Sequence, residues 1–316
     1  MNAAGVSSVY FGTSSFAATV LERLAGSPHR PVLVVAPPDS RQGRGRRVSP
    51  PPVAALAAEL GLELLQVESV NRPEAVERIT AAGAELGTVC AFGQLIGAEL
   101  LELFPFLNVH PSLLPRWRGA APIERAILAG DEQTGVAVMR LSAGLDSGPL
   151  ALIEAVAIEE EETFGELAPR LADLGGELLV KSLDLYMAAE LTFVEQDDET
   201  ATYAEKIEPA DRRLEASGQT ARELHRRQRA LHPHVGAFVE TAAGGRLKVT
   251  AARIVEGLDA PAGAFVTTDD GSLALGCREG TLEILELQPP GGKPMAAADY
   301  LRGHDLPTAA PAPGGP

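Results

Sequence analysis

The chain has 316 residues, 45% of them hydrophobic and 22% charged, an ordinary globular balance that excludes wholesale disorder. At ~100–200 residues per domain, this length accommodates about two domains. A formal net charge of −16 argues against a general nucleic-acid coat protein, because such binding is mostly phosphate neutralisation, but it leaves room for a local basic site. The only cysteines, Cys90 and Cys277, lie far apart, so neither a disulfide framework nor a cysteine-rich zinc site is expected. A reduced, cytoplasmic setting fits. No uncharged apolar run reaches the ~18 residues of a membrane span, and Met1–Ser8 lacks the features of a signal peptide.

The first half alternates strands and helices. Val9–Phe11 is a short apolar run, and a helical stretch follows from Phe16 to Leu24. Pro31–Ala36 reads as a buried strand, Val53–Leu60 as a helix capped at Gly61, and Leu64–Val67 as a third strand. Pro73–Ala82 is helical, Leu86–Phe92 is a fourth strand and Phe106–His110 a fifth. This alternation predicts a parallel sheet with helices on both faces and ligands at the strands' carboxyl ends. Val136–Leu141 and Leu150–Ile158 read as a further strand pair. Thr163–Glu190 reads as a long amphipathic helix with a possible break at Gly175-Gly176.

The acidic stretch Glu195–Thr202 reads as a linker, and Leu214–Ala230 as a helix. Then come short strand-like runs, Arg246–Ile254, Gly263–Thr267, Ser272–Gly276 and Thr281–Leu287, which suggest a small antiparallel barrel. From Pro307 the chain is rich in Ala, Pro and Gly and reads as a disordered tail.

The densest polar constellation is Asn108, His110 and Ser112. Alternation along a strand turns Asn108 and His110 to one side, a donor pair of the kind an oxyanion needs. A hydrogen-bonded histidine near a turn would look the same, so the spacing alone leaves both open. Gly144-Leu145-Asp146-Ser147-Gly148 is either a tight loop through which backbone approaches a ligand or a turn capped by Asp146. Ala91–Ile96 is either a third part of a site or a plain strand-to-helix turn.

Neither a dinucleotide-binding glycine pattern nor a phosphate-loop motif is present. His232-Pro233-His234 has no cluster of further ligands in support, so no metal is expected. Arg41, Arg44, Arg46 and Arg47, interleaved with Gly43 and Gly45, form a basic loop after the second strand. Arg222, Arg226 and Arg229 share one face of the predicted helix. Each patch alone could be solvated surface; two on an acidic chain read as a footprint for an anionic partner.

Asn108-Val109-His110-Pro111-Ser112-Leu113-Leu114-Pro115-Arg116-Trp117-Arg118-Gly119-Ala120-Ala121-Pro122 resembles the signature of folate-dependent formyltransferases, and Gly144–Gly148 resembles their aspartate loop. The basic loop after Pro38-Asp39, the segment Thr202–Ile207 and Gln288-Pro289 are similar to the methionyl-tRNA formyltransferase family in particular. Two places depart from it: Pro111 stands where well-known members have Gly or Ala, and Leu231–Gly236 stands where the family usually carries an aromatic.

The resemblance implies an α/β fold, with a Rossmann-like parallel-sheet formyltransferase domain over 1–194 and a linker over 195–205. A small OB-like β-barrel would follow over 206–306, then a disordered tail over 307–316. It implies transfer of a formyl group from 10-formyltetrahydrofolate to the α-amine of methionyl initiator tRNA by a cytoplasmic monomer without metal. Asn108 and His110 would hold the oxyanion, and Asp146 would act as base. Folate would lie along Ser112, Leu113, Leu114 and Pro115, with its pteridine near Phe92, Gly93, Gln94 and Leu95. Arg41, Arg44, Arg46 and Arg47, with Arg222, Arg226 and Arg229, would meet the tRNA. The rival readings are a formyltransferase for an amino sugar or other small amine, a 10-formyltetrahydrofolate hydrolase, and a non-catalytic RNA-binding module.

Overall fold

The apolar runs Ser8–Gly12, Leu33–Ala36, Leu86–Cys90 and Phe106–His110 are strands buried end to end. The computed structural model describes residues 5–42, 47–268 and 271–310. Two units emerge: Met1–Pro122, Gln133–Ala157 and Ala168–Ala204 form the first, and Ile123–Glu132, Ile158–Leu167 and Glu205–Pro316 the second. In chain order the first elements are β1 (Ser8–Gly12), α1 (Ser15–Ala25), β2 (Leu33–Ala36), β3 (Ser40–Gln42), β4 (Arg47–Ser49), α2 (Pro52–Glu59), β5 (Leu64–Gln66) and α3 (Pro73–Ala81). They continue as β6 (Leu86–Cys90), α4 (Ala98–Leu103), β7 (Phe106–His110), β8 (Arg118–Gly119), α5 (Pro122–Ala129), β9 (Gln133–Arg140), β10 (Leu150–Ala157), α6 (Phe164–Met187) and β11 (Tyr203–Ala204).

Seven strands of the first unit pair in the order β10-β9-β7-β6-β1-β2-β5. From β7 to β5 all pairs are parallel, whereas β9 runs antiparallel to β7 and β10 antiparallel to β9. The sheet expected as parallel is therefore mixed at one end. Residues 141–149 are too few for a crossover helix, so β9 and β10 can be joined only as antiparallel neighbours. β6 stops at Cys90, short of the expected Phe92, because Ala91 (φ +42°) and Gly93 (φ +77°) turn the chain. Phe92 folds into the core, its ring 5.5 Å from that of Phe11.

α6 runs unbroken through Gly175-Gly176. A Cβ at Gly175 would stand 2.8 Å from Val109 Cγ1, and one at Gly176 would stand 2.7 Å from the Arg23 side chain. The two glycines are thus a close-packing surface for the back of β7 and for α1, not a helix break. No helix among the described residues is long and apolar enough to cross a membrane.

The second unit holds α7 (Ala221–Leu231), β12 (Ala237–Glu240), β13 (Arg246–Val255), β14 (Phe265–Thr267), β15 (Leu273–Gly276), β16 (Thr281–Gln288), β17 (Met295–Ala296) and α8 (Ala297–Gly303). Its strands pair antiparallel in the order β12-β13-β16-β15-β14, with β17 added to β16. Register shifts around Ala251 mark an irregularity in β13 of the sort that bends a strand. Leu224, Leu231, Val239, Leu247, Leu273 and Ile284 lie in its core.

α7 begins at Ala221, later than the expected Leu214. Thr220 and Glu223 form a reciprocal capping box that fixes the start, while Leu214 is buried in irregular chain before it. The tail expected from 307 is hydrogen-bonded at its described end: Ala242 donates to Thr308 O (2.7 Å) and Ala310 to Glu240 O (2.8 Å).

Candidate functional site

All five residues of β7 are buried. Alternation sends Val109 toward α6 and turns Asn108 and His110 to the opposite side of the sheet. Asn108 is 8% exposed and His110 5%. No hydrogen bond among the described residues engages the Asn108 side chain, so its buried amide is not spent within the chain.

The His110 ring is fixed from both ends. Nε2 lies 2.8 Å from the carbonyl of Trp117. A carbonyl only accepts, so Nε2 carries the proton. Trp117 adopts φ +64°, an uncommon backbone for a bulky residue. Nδ1 then faces Asp146 Oδ2 at 3.6 Å. A bare imidazole nitrogen and a carboxylate oxygen are both acceptors, so the two become complementary only with a proton between them. Asp146, at φ +45°, also accepts the Gly119 amide at 2.9 Å through the same Oδ2. No hydrogen bond among the described residues engages its other oxygen. The structure thus brings His110 and Asp146 together, with Asn108 two residues away on the same side of β7.

Sequence reasoning missed what holds this loop. Gln196 donates through Nε2 to the carbonyls of Asp146 (2.9 Å) and Gly148 (2.6 Å). Its Oε1 accepts from Nε of Arg118 at 3.1 Å. The stretch expected as a linker is hydrogen-bonded into the first unit: Leu150 and Val194 exchange backbone bonds, Thr202 donates to Pro115 O, and Trp117 N donates to Thr202 Oγ1. β11 pairs with β8. The acidic composition of 195–202 carried no sign of these contacts, because nearly all of them use backbone atoms.

The eight residues expected around folate divide by burial. Ser112 is fully buried and donates to Arg116 O at 2.6 Å, and Leu114 packs with Ala137 and Met139. Gln94 is spent on Val70 N and Val67 O. These three and the core residue Phe92 support the loops. Leu113 and Pro115 are partly exposed, and Gly93 is exposed with open space where a Cβ would stand. Leu95 is 80% exposed and Leu145, beside Asp146, 61%.

The arginines divide more sharply. Arg44, Arg46 and the Arg47 side chain lie outside the described residues; Arg41 is exposed on β3. The expected face of Arg222, Arg226 and Arg229 does not survive as a set. Arg222 is exposed, but Arg226 donates to Ala129 O (3.3 Å) and its guanidinium covers Gly130. Arg229 is 8% exposed and donates to Glu162 O at 2.9 Å. Burial holds its pKa below the usual arginine value. The enclosed guanidinium of Arg229 is spent within its own unit, whereas that of Arg226 stays partly exposed beside Gly130.

His234 pairs with Glu124 (3.0 Å), and its ring stacks on Phe164 with centroids 3.8 Å apart. No cluster of three or more candidate metal ligands occurs among the described residues. Burial pushes the Cys90 thiol up to about 12, so it offers no thiolate.

A family described as formyl transferase matches residues 6–183, and its C-terminal domain matches residues 206–305. A methionyl-tRNA formyltransferase from Methylobacterium sp. (strain 4-46) is 43% identical over 303 residues, covering 94% of this chain and 96% of the relative. One from Methylococcus capsulatus (strain ATCC 33009 / NCIMB 11132 / Bath) is 42% identical over 301 residues, covering 94% and 97%. Among solved structures, HypX from Aquifex aeolicus in complex with tetrahydrofolic acid shares the fold at 15% identity and a TM-score of 0.64, over 94% of this chain and 47% of that one. The N-formyltransferase from Helicobacter canadensis, in complex with folinic acid and dTDP-3-aminofucose, does so at 15% identity and 0.64, over 88% and 98%. With both domains matched and relatives above 40% identity along nearly its whole length, the chain belongs to the formyl transferase family.

Proposed function

We propose that this chain moves the formyl group of 10-formyltetrahydrofolate onto the α-amine of methionyl initiator tRNA, in the cytoplasm where that tRNA is charged. The observation that carries the reading is the facing of His110 Nδ1 and Asp146 Oδ2 at 3.6 Å, beside the unengaged Asn108 amide, in a chain whose full-length relatives bear that name.

The residues present suit a flat, partly apolar donor. Leu95 and Leu145 hold large apolar side chains in water, and Gly93 lets a ring approach backbone. Leu113, Pro115, Gly93 and Leu95 would hold it, with Phe92, Gln94, Ser112 and Leu114 keeping their loops in shape. When bound, it supplies a one-carbon electrophile on a nitrogen leaving group.

The chain's own residues then divide the work. Asn108 donates from its amide to the formyl oxygen as that oxygen gains charge. Trp117 O takes the Nε2–H of His110, so Nδ1 is the ring atom left on the side of Asp146, and when protonated it donates to the same oxygen without any movement of the ring. Asp146 takes a proton from the attacking amine and returns one to the departing nitrogen, and protons balance without a covalent enzyme intermediate. The open positions of Arg41 and Arg222 suit contacts with RNA phosphates, which place the acceptor end without reading its bases.

The test offers labelled 10-formyltetrahydrofolate with charged initiator tRNA, uncharged tRNA, an amino-sugar nucleotide, or water as acceptor. Formylmethionine made only with the charged tRNA is the expected result. Turnover with the amino sugar, or hydrolysis at an equal rate without any amine, would overturn the reading.

A further inference from the structure

The segment 194–204 carries one side chain whose every polar atom is used on the catalytic loop or its neighbour. We infer that Gln196 is a positioning residue for the proposed formyl transfer, clamping the left-handed turn at Asp146 from a segment 50 residues away.

Four observations carry this, on top of the reading of Asp146 as the proton carrier. Gln196 Nε2 divides its two protons between Asp146 O (2.9 Å) and Gly148 O (2.6 Å), the first and third residues of the turn. Its oxygen is held by Arg118 Nε, which only donates, so the orientation of the amide is set by its partners. Arg118 is 3% exposed, an enclosed cation held by Gln196 and by Asp198 at 2.7 Å. Gly119, the next residue, gives its amide to Asp146 Oδ2 (2.9 Å) and at φ +120° passes under Ala204, where a Cβ would stand 2.8 Å from a carbonyl oxygen.

The turn is thus held at three points by one connected set: the carbonyls of Asp146 and Gly148 by Gln196, and the Asp146 carboxylate by the Gly119 amide. Positive φ is uncommon outside glycine, and these contacts hold Asp146 there. The clamp fixes the direction of the carboxylate toward His110, and with it the 3.6 Å spacing. Loss of the two donors lets the turn relax while Asp146 and His110 both remain.

Gln196→Glu keeps the shape and the Arg118 contact but sets an acceptor against two carbonyls. Gln196→Met removes the donors without adding charge. With tRNA and folate as substrates, both variants should lower kcat by about 10–100-fold, as misplacing a reacting group does, with each KM within about threefold of wild type. The pH profile of kcat should shift with them. In an Asp146→Asn background, adding Gln196→Met should cost less than about twofold more, because the group it positions is gone. Wild-type kcat in both single variants would overturn the inference. So would a loss confined to KM, or losses that multiply fully with Asp146→Asn. If the wild-type protein formylates no charged tRNA, the proposed function fails instead, which the parallel wild-type assay distinguishes.

Discussion

The end of β7 and the face of α7 look alike in sequence, as polar side chains at the correct period, yet they use their polarity in opposite ways. At β7, Asn108 keeps its amide unengaged, and His110 and Asp146 face each other at 3.6 Å. On α7, Arg229 and Arg226 spend their guanidiniums on the carbonyls of Glu162 and Ala129. A buried polar group is either satisfied by its own chain or held ready for a ligand. Periodicity does not tell these apart; the hydrogen-bond inventory does.

The comparison breaks most readily at β7. Asn108→Ala should lower kcat by about 10²–10³-fold, the usual loss of one oxyanion donor, with the thermal transition little changed. A variant that lost stability in proportion to activity would make Asn108 a structural residue. Arg229→Ala should do the reverse. Removal of an enclosed, charge-assisted bond costs roughly 1–3 kcal/mol of stability, read by denaturant unfolding, with little effect on the tRNA requirement at a temperature where the protein stays folded. Arg222→Ala should leave stability alone and weaken tRNA binding, with the salt slope reduced by about one.

The reason the sequence reveals one region and not the other lies in where the partners come from. Strand alternation places Asn108 and His110 together from two positions, and flanking glycines mark Asp146, so the trio is legible locally. Helix periodicity likewise groups Arg222, Arg226 and Arg229, but the carbonyls that take up two of them belong to 123–132 and 158–167. Gln196 is illegible for the same reason, since its acceptors are backbone atoms of a loop far back in the chain. The parallel core of the sheet follows from apolar runs, while the reversed β9 depends on a register that those runs do not encode. The length of α6 is misjudged at Gly175-Gly176 because glycine there serves close packing.

Smaller effects sharpen the account of the second unit. Thr220→Ala removes one half of the α7 capping box and should cost about 1 kcal/mol, measured by thermal unfolding. His225 is held below the usual histidine pKa by burial, against the pull of Glu161 at 3.2 Å, and His232 is held below it by burial and then by Lys248. The unfolded chain therefore takes up protons near pH ~6.5 that the folded chain resists. Stability is full above that pH and falls as pH drops through it toward the lower folded values. The thermal midpoint should decline between about pH 7.5 and 5.5, and His225→Gln should decline less.

The most direct measurement is the single-turnover formylation rate of Asp146→Asn, set beside its thermal midpoint. The amide oxygen can still accept from the Gly119 N–H, so the fold should hold and the midpoint should stay within a few degrees of wild type. The rate should fall by at least about 10²-fold, because an amide takes no proton from the attacking amine. A rate close to wild type would contradict the account, since the carboxylate facing His110 would then carry no part of the chemistry.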